Sequence, residues 1–147
     1  MWLNSENIMT PHITSRRGLG MAIMSFISDI RNAAIANAVI VVFHIYIAFA
    51  VEGVGFLIIV LPIGGLIAAA YLVKGKIGAV LLAVPTLGYL TVVPALVEGL
   101  VTLSPDADIG YFSLLLGPFW LFTILLNIMS IIAEVRGTSK YAKQPST

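Results

Sequence analysis

Four long uncharged runs dominate this sequence and limit the chain to one class of fold. They cover residues 32–51, 53–73, 77–97 and 109–133. At a rise of about 1.5 Å per residue, each run can cross the ~30 Å hydrocarbon core of a bilayer as a helix. A lone strand could not satisfy its backbone polar groups in lipid. We therefore predict an all-α integral membrane protein in which four transmembrane helices form an up-down bundle.

Composition supports this class and leaves little room for anything else. The chain of 147 residues is 59% hydrophobic and 10% charged, whereas soluble domains carry about 25% charged residues. Four spans use more than half of the length, so no soluble catalytic domain is expected, and no basic surface for nucleic acid is apparent. The sequence has no cysteine, which excludes a disulfide framework, a thiolate metal site and a cysteine nucleophile.

The basic residues lie on one side of the four predicted spans. The connections on the other side contain no lysine or arginine, which is the positive-inside pattern of a multi-pass cell membrane protein with both termini in the cytoplasm. That opposite face should be purely acidic. The eight basic residues are Arg16, Arg17, Arg31, Lys74, Lys76, Arg136, Lys140 and Lys143, and the acidic residues outside are Glu52, Glu98, Asp106 and Asp108.

The two ends of the chain flank this transmembrane domain. Residues 1–31 form a cytoplasmic segment in which apolar residues between Gly18 and Arg31 recur at helical spacing. This spacing predicts a short amphipathic helix in the membrane interface, or alternatively an extension of the first span into the headgroups. Residues 134–147 are predicted to be a polar tail without a fold of its own. The spans between them are placed at about 32–51, 54–73, 77–97 and 110–133.

A few polar side chains fall inside the predicted spans. His44 lies roughly 10 Å below the outer end of the first span, and Tyr89 lies at a similar depth, where it could hydrogen-bond the imidazole. A neutral histidine bonded to a tyrosine or a backbone carbonyl is one interpretation, and a ligand or cofactor contact shared with a partner is the other. No cofactor is predicted otherwise. Asn37 and Asn127 lie at equal depth on the first and fourth spans, which favours an interhelical hydrogen bond.

Small residues on the second span predict close contact with another helix. Gly64 with Ala68, and Gly65 with Ala69, are each four residues apart. Small residues at this spacing let a second backbone approach closely. The pattern does not indicate which helix would be the partner.

Two glutamates are expected at the outer ends of helices. Glu52 and Glu98 are each followed by glycine, the residue that most readily ends a helix. A carboxylate at a helix C-terminus opposes the helix dipole. Either a cation or a partner's basic side chain compensates it, or an acidic residue is simply tolerated in an outward loop.

No constellation of residues points to catalysis. The sequence lacks a nucleophile beside a general base, a metal-ligand cluster, a glycine-rich phosphate loop and an inward pair of carboxylates. We therefore expect a non-catalytic accessory or structural subunit of a larger membrane complex, with redox assemblies of respiratory or monooxygenase type as an analogy. Its partners would be other integral membrane subunits and lipid, or further copies of the chain. The alternative is a small oligomeric transporter or channel, which the prolines inside the spans would suit.

Overall fold

The computed structural model describes residues 12–102 and 110–141, which form helices and short turns with no strand among them. Helix α2 continues into a π-helical segment, Ala48–Glu52, and a 3₁₀ segment, Val54–Phe56, leads into α3. The α-helices are α1 (His12–Ile27), α2 (Ile30–Ile47), α3 (Leu57–Val73), α4 (Gly75–Thr102) and α5 (Gly110–Val135).

Four of these helical stretches are long and apolar enough to cross a membrane. The predicted fold class is therefore confirmed. The stretches are Ile30–Ala50, Val54–Val73, Gly75–Pro94 and Leu116–Val135.

Each span packs against the next one in the chain, and α5 closes the ring by packing against α2. The larger core cluster is built from one or more residues of every span, and alanine is its commonest member, so the helices approach closely. It lies toward the end of the bundle where α2 and α4 begin and α3 and α5 end, which we call the basic end because Arg31, Lys74 and Arg136 lie there. The core residues are Ile30, Ala33, Ala36, Ala70, Ala79, Leu82 and Leu126.

A tight turn joins α3 to α4 at the basic end. Lys74 and Gly75 both have positive φ, at 55° and 59°. One turn further along α4, a Cβ placed on Gly78 would lie 3.0 Å from the carbonyl oxygen of Ala70 and 3.1 Å from Cδ1 of Ile30. The absence of a side chain at Gly78 is thus what allows α4 to pack directly on the backbone of α3.

The N-terminal helix is separate from the first span. Helix α1 ends at Ile27, and Asp29 then adopts an extended conformation, with φ −89° and ψ 115°, as the N-cap of α2. Its carboxylate accepts a hydrogen bond from the backbone N–H of Arg31 at 3.0 Å, a common way to begin a helix. The alternative of one continuous helix is therefore wrong, and the short apolar helix predicted before the first span is present.

The connection between α4 and α5 is shorter than the sequence suggested. We expected the third span to end near Glu98, but α4 continues to Thr102. Glu98 therefore lies within a helix and is not a helix-ending residue, because the following Gly99 does not interrupt the helix. Residues 103–109, which include Asp106 and Asp108, lie outside the described residues.

The beginning of the C-terminal tail folds back onto the bundle, contrary to the expectation of a tail without a fold. Gly137 has a φ of 68°, and the N–H groups of Thr138 and Ser139 both donate to the carbonyl of Ala133. This reversal of direction at the end of α5 is typical of a glycine-terminated helix. It brings Tyr141 against the core cluster.

Candidate functional site

Asn37 and Asn127 form the hydrogen-bonded pair that their equal depth suggested. Asn37 Nδ2 donates to Asn127 Oδ1 at 2.6 Å, and Asn127 Nδ2 donates back to Asn37 Oδ1 at 3.3 Å. Asn37 Nδ2 also donates to the carbonyl of Ala33 at 2.6 Å. Both side chains are fully buried. Because the two bonds join α2 to α5, the pair holds the ring closed.

Asn127 belongs to a row of buried polar side chains along one face of α5. Thr123, Asn127, Ser130 and Glu134 are all 0% exposed. Their spacing of four, three and four residues places them on one side of the helix, over a length of about 16 Å. We call these four residues the polar row. The hydroxyl groups of Thr123 and Ser130 donate to backbone carbonyls of their own helix, so each keeps lone pairs free to accept a bond.

Glu134 ends the polar row at the basic end and is its only ionisable member. Neither carboxyl oxygen has a hydrogen-bond partner in residues 12–102 and 110–141. An isolated buried carboxyl group is costly because neither water nor a donor replaces its lost solvation. Such groups in membrane helices are candidates for function, and Glu134 is therefore the residue that most needs an explanation.

The expected bond between Tyr89 and His44 is not formed. His44 Nδ1 donates to the carbonyl of Ile40 at 2.8 Å. The indole of Trp120 packs edge-on to both rings, with centroids 5.2 Å from His44 and 5.5 Å from Tyr89. The Tyr89 hydroxyl is buried and finds no hydrogen-bond partner in the part of the chain that the structure describes. Of the two bonds considered for His44, the one to a backbone carbonyl is present, whereas an aromatic contact stands in place of the one to Tyr89.

The two pairs of small residues on α3 point in different directions. A Cβ on Gly64 would lie 3.2 Å from Cγ1 of Val41, so Gly64 packs against α2 within the bundle. Gly65 and Ala68 are exposed and Ala69 is half-buried. No atom lies within 4 Å of a Cβ placed on Gly65. Packing within the chain therefore accounts for Gly64, but it gives no reason for small residues at the exposed positions of Gly65 and Ala68.

The two acidic positions at the opposite end of the bundle differ in their surroundings. Glu52 ends the π-helical segment, and Gly53 follows it with a φ of 84°, so the helix ends there as predicted. The side chain of Glu52 lies outside the described residues. Glu98 is exposed on α4.

At the basic end, the tail is fixed to the junction between α1 and α2. Lys140 forms a salt bridge with Asp29, the N-cap residue of α2. The hydrogen bond to Asp29 raises the pKa of Lys140, and its contact with Tyr141 acts in the same direction. Lys140 itself is largely exposed while Asp29 is buried. One carboxylate therefore both begins α2 and holds the C-terminal segment in place.

Two groups of residues that the structure brings together are not among those predicted from the sequence. The polar row has a sequence signal, because Thr123, Asn127, Ser130 and Glu134 recur at a helical period in an otherwise apolar run. We ended the fourth span at Ala133 and so excluded Glu134. The contacts of Tyr141 with basic side chains have no such signal, since they depend on the tail folding back.

The described residues give no direct indication of a cofactor. Within 12–102 and 110–141, no group of three or more His, Cys, Asp or Glu side chains could hold a metal ion. His44 is half-buried and contacts aromatic rings and a backbone carbonyl. The chain was compared with known protein families, curated proteins and solved structures, and none of them matches it.

Proposed function

We propose that the protein is a non-catalytic subunit of a larger membrane complex and that it docks through α3. The observation that carries the proposal is the outward position of Gly65. Ile58, Leu61 and Gly65 are exposed on one face of α3, at the i, i+3, i+7 spacing of a helix-packing surface. We call these three residues the α3 stripe.

The α3 stripe suits contact with a helix of another integral membrane subunit better than contact with lipid alone. Lipid chains are as well accommodated by large apolar side chains as by glycine, whereas a glycine flanked by larger residues lets a second helix backbone approach closely. Glycine also weakens a helix by about 1 kcal/mol relative to alanine. Helix α3 contributes the least buried of the four spans, with 17% of its most apolar window buried inside the chain. Its surface is thus the one most available to a partner.

The distribution of charge supports an orientation for this subunit. The basic end would face the cytoplasm and the end with Glu52 and Glu98 would face outward. In that orientation, an outside partner or cation would meet the acidic end, as the sequence suggested. Assemblies of respiratory or monooxygenase type remain an analogy for the parent complex.

Replacing Gly65 by leucine tests the docking proposal. A full-length tagged chain, purified from its native membrane in mild detergent, should bring down stoichiometric companion subunits. We expect Gly65→Leu to reduce their recovery by roughly 5- to 150-fold, because extra bulk in a close-packed contact costs about 1–3 kcal/mol. The leucine has open space within the chain, so folding should be unaffected.

Gly88→Leu is the matched control for this experiment. Gly88 is exposed on α4, and no atom lies within 4 Å of a Cβ placed there. The control should retain the companions. A wild-type chain that purifies alone, or a companion set that both variants lose equally, would refute docking through the α3 stripe. A stable homo-oligomer that responds to Gly65→Leu alone would identify the partner as a second copy.

The polar row favours transport as a second candidate function. A buried carboxyl group at the end of a row of hydroxyl and amide groups resembles the side-chain chains that carry protons through membrane proteins. In liposomes with an imposed potential, proton entry measured with an internal pH dye should then exceed that of empty liposomes. We expect Glu134→Gln to lower this flux about 100-fold or more, the lower end of the usual contribution of a positioned proton-transfer group. Glu98→Gln, which changes an exposed carboxylate, should leave it unchanged. Flux no greater than in empty liposomes would exclude proton transport.

A further inference from the structure

Three basic side chains surround one aromatic ring at the basic end. The ring centroid of Tyr141 lies 5.7 Å from Cζ of Arg31, 5.3 Å from Nζ of Lys74 and 5.1 Å from Nζ of Lys140. These residues come from the start of α2, the turn between α3 and α4, and the tail. We call the four residues the Tyr141 cluster. Three positive charges around one ring repel one another, and an anion placed among them would relieve that repulsion.

Among the described residues, only one of the three basic side chains forms a salt bridge with an acidic group. Asp29 forms a salt bridge with Lys140. Among the described residues, no carboxylate is paired with Arg31 or Lys74. The Nε atom of Arg31 and the hydroxyl of Tyr141 are buried, and neither has a hydrogen-bond partner by distance and angle within residues 12–102 and 110–141. The cluster therefore keeps two positive charges without a salt-bridge partner among the described residues, which suits an anion with several acceptor oxygens.

An apolar groove begins beside the same cluster. The Arg31 guanidinium lies 5.4 Å from the ring centroid of Tyr71, and Tyr71 lines the groove. The groove runs between α2 and α3, has a volume of about 350 Å³ and is lined by apolar side chains and glycine. Ala34, Ala38 and Ala68 form part of its walls. Its position along two membrane spans makes it accessible from the side to a hydrocarbon chain.

We propose that the Tyr141 cluster and this groove together bind one anionic glycerophospholipid. The headgroup phosphate contacts Arg31 and Lys74, and one acyl chain lies in the groove between α2 and α3. A lipid of this kind supplies in one molecule the negative charge that the cluster lacks and the hydrocarbon that fits the groove. Basic pockets between membrane helices commonly bind anionic headgroups. The groove shares no residue with the α3 stripe, but Ala68 and Leu72 continue the same face of α3, so the lipid site is tested by variants of its own.

Native mass spectrometry of the full-length protein tests the site. The detergent-solubilised chain is titrated separately with phosphatidylglycerol and with phosphatidylcholine of the same acyl chains. Wild type should bind one phosphatidylglycerol in preference to phosphatidylcholine. In the double variant Arg31→Gln, Lys74→Gln we expect that preference to fall at least about tenfold, since each basic side chain near an anionic headgroup contributes a factor of about five.

The matched control is the double variant Lys76→Gln, Arg136→Gln, which removes two exposed basic side chains of the same end. This control variant should keep the preference for phosphatidylglycerol over phosphatidylcholine. An equal loss in both double variants would show general attraction to charge and overturn the site, as would no loss in either. Circular dichroism of each variant establishes that the helices are intact before the comparison is made.

A variant of the groove distinguishes binding of a lipid from binding of a soluble phosphate. Ala38→Phe fills the groove without changing charge, and Gly88→Phe adds the same group on α4. We expect Ala38→Phe to weaken phosphatidylglycerol binding several-fold and Gly88→Phe to leave it unchanged. Glycerol phosphate should compete only weakly, because it lacks the acyl chain. Two outcomes would overturn the proposal. One is that glycerol phosphate competes as strongly as the lipid itself. The other is that a helix of another polypeptide occupies the groove and no lipid is bound.

Discussion

Gly78→Val should destabilise the bundle by about 1–3 kcal/mol, the usual cost of adding side-chain volume to a close-packed contact. Even a single Cβ at Gly78 would lie 3.0 Å from the backbone oxygen of Ala70 and 3.1 Å from Ile30. The Ile30 methyl group can move aside, but the carbonyl belongs to the helical backbone of α3. Valine adds two further carbons, so α3 and α4 must separate where the tight turn at Lys74 and Gly75 holds them together.

The measurement is the free energy of unfolding of the purified chain in detergent, followed by circular dichroism. Gly78→Ala should lie between wild type and Gly78→Val, because it adds one carbon instead of three. Gly88→Val is the control, since a Cβ at Gly88 meets no atom within 4 Å. Equal stability of the Gly78 and Gly88 valine variants would contradict the close approach of α4 to α3.

Asn37→Leu should cost about 1–3 kcal/mol, because it leaves the amide of Asn127 buried without its partner. Asn127→Leu should have a similar effect for the same reason. The pair is the reciprocal contact between α2 and α5, and both residues are 0% exposed. A polar group orphaned inside a membrane bundle has few alternative partners.

The double variant Asn37→Leu, Asn127→Leu distinguishes a pair from two independent sites. Replacing both amides removes the orphan that each single change creates, so the double variant should be more stable than the sum of the single effects predicts. Interhelical hydrogen bonds in membranes average about 0.6 kcal/mol, and the coupling should be at least of that size. Strict additivity of the two single effects would show that the amides do not interact.

Much of the fold could be predicted from the sequence because the bilayer allows few alternatives. An uncharged run of about 20 residues must be a helix if it crosses lipid, so the four spans followed from the positions of charges. The Asn37 and Asn127 contact followed from depth alone, since two polar residues at the same level of neighbouring spans tend to find one another.

The contacts that were not predicted depend on rotation about helix axes and on chain reversals. Depth alone placed Tyr89 beside His44, but it did not show that Trp120 lies between their rings. Gly99 after Glu98 suggested a helix end, yet a glycine within a membrane helix is tolerated where the backbone bonds continue. Gly64 faces α2, whereas the adjacent Gly65 faces outward. The four-residue spacing of small residues does not indicate which of these two neighbours faces the bundle. The return of Tyr141 to the bundle required the reversal at Gly137.

The asparagine pair also constrains the order in which the helices of the bundle can pack. Its two members are 90 positions apart in the chain, and one belongs to the first of the four spans while the other belongs to the fourth. During synthesis, α3 and α4 can each pack on the preceding span as they enter the bilayer, but Asn37 must wait for α5. Until α5 is inserted, the growing bundle has an open side with an unsatisfied amide on it. In that interval, the open side is exposed to capture by other membrane helices.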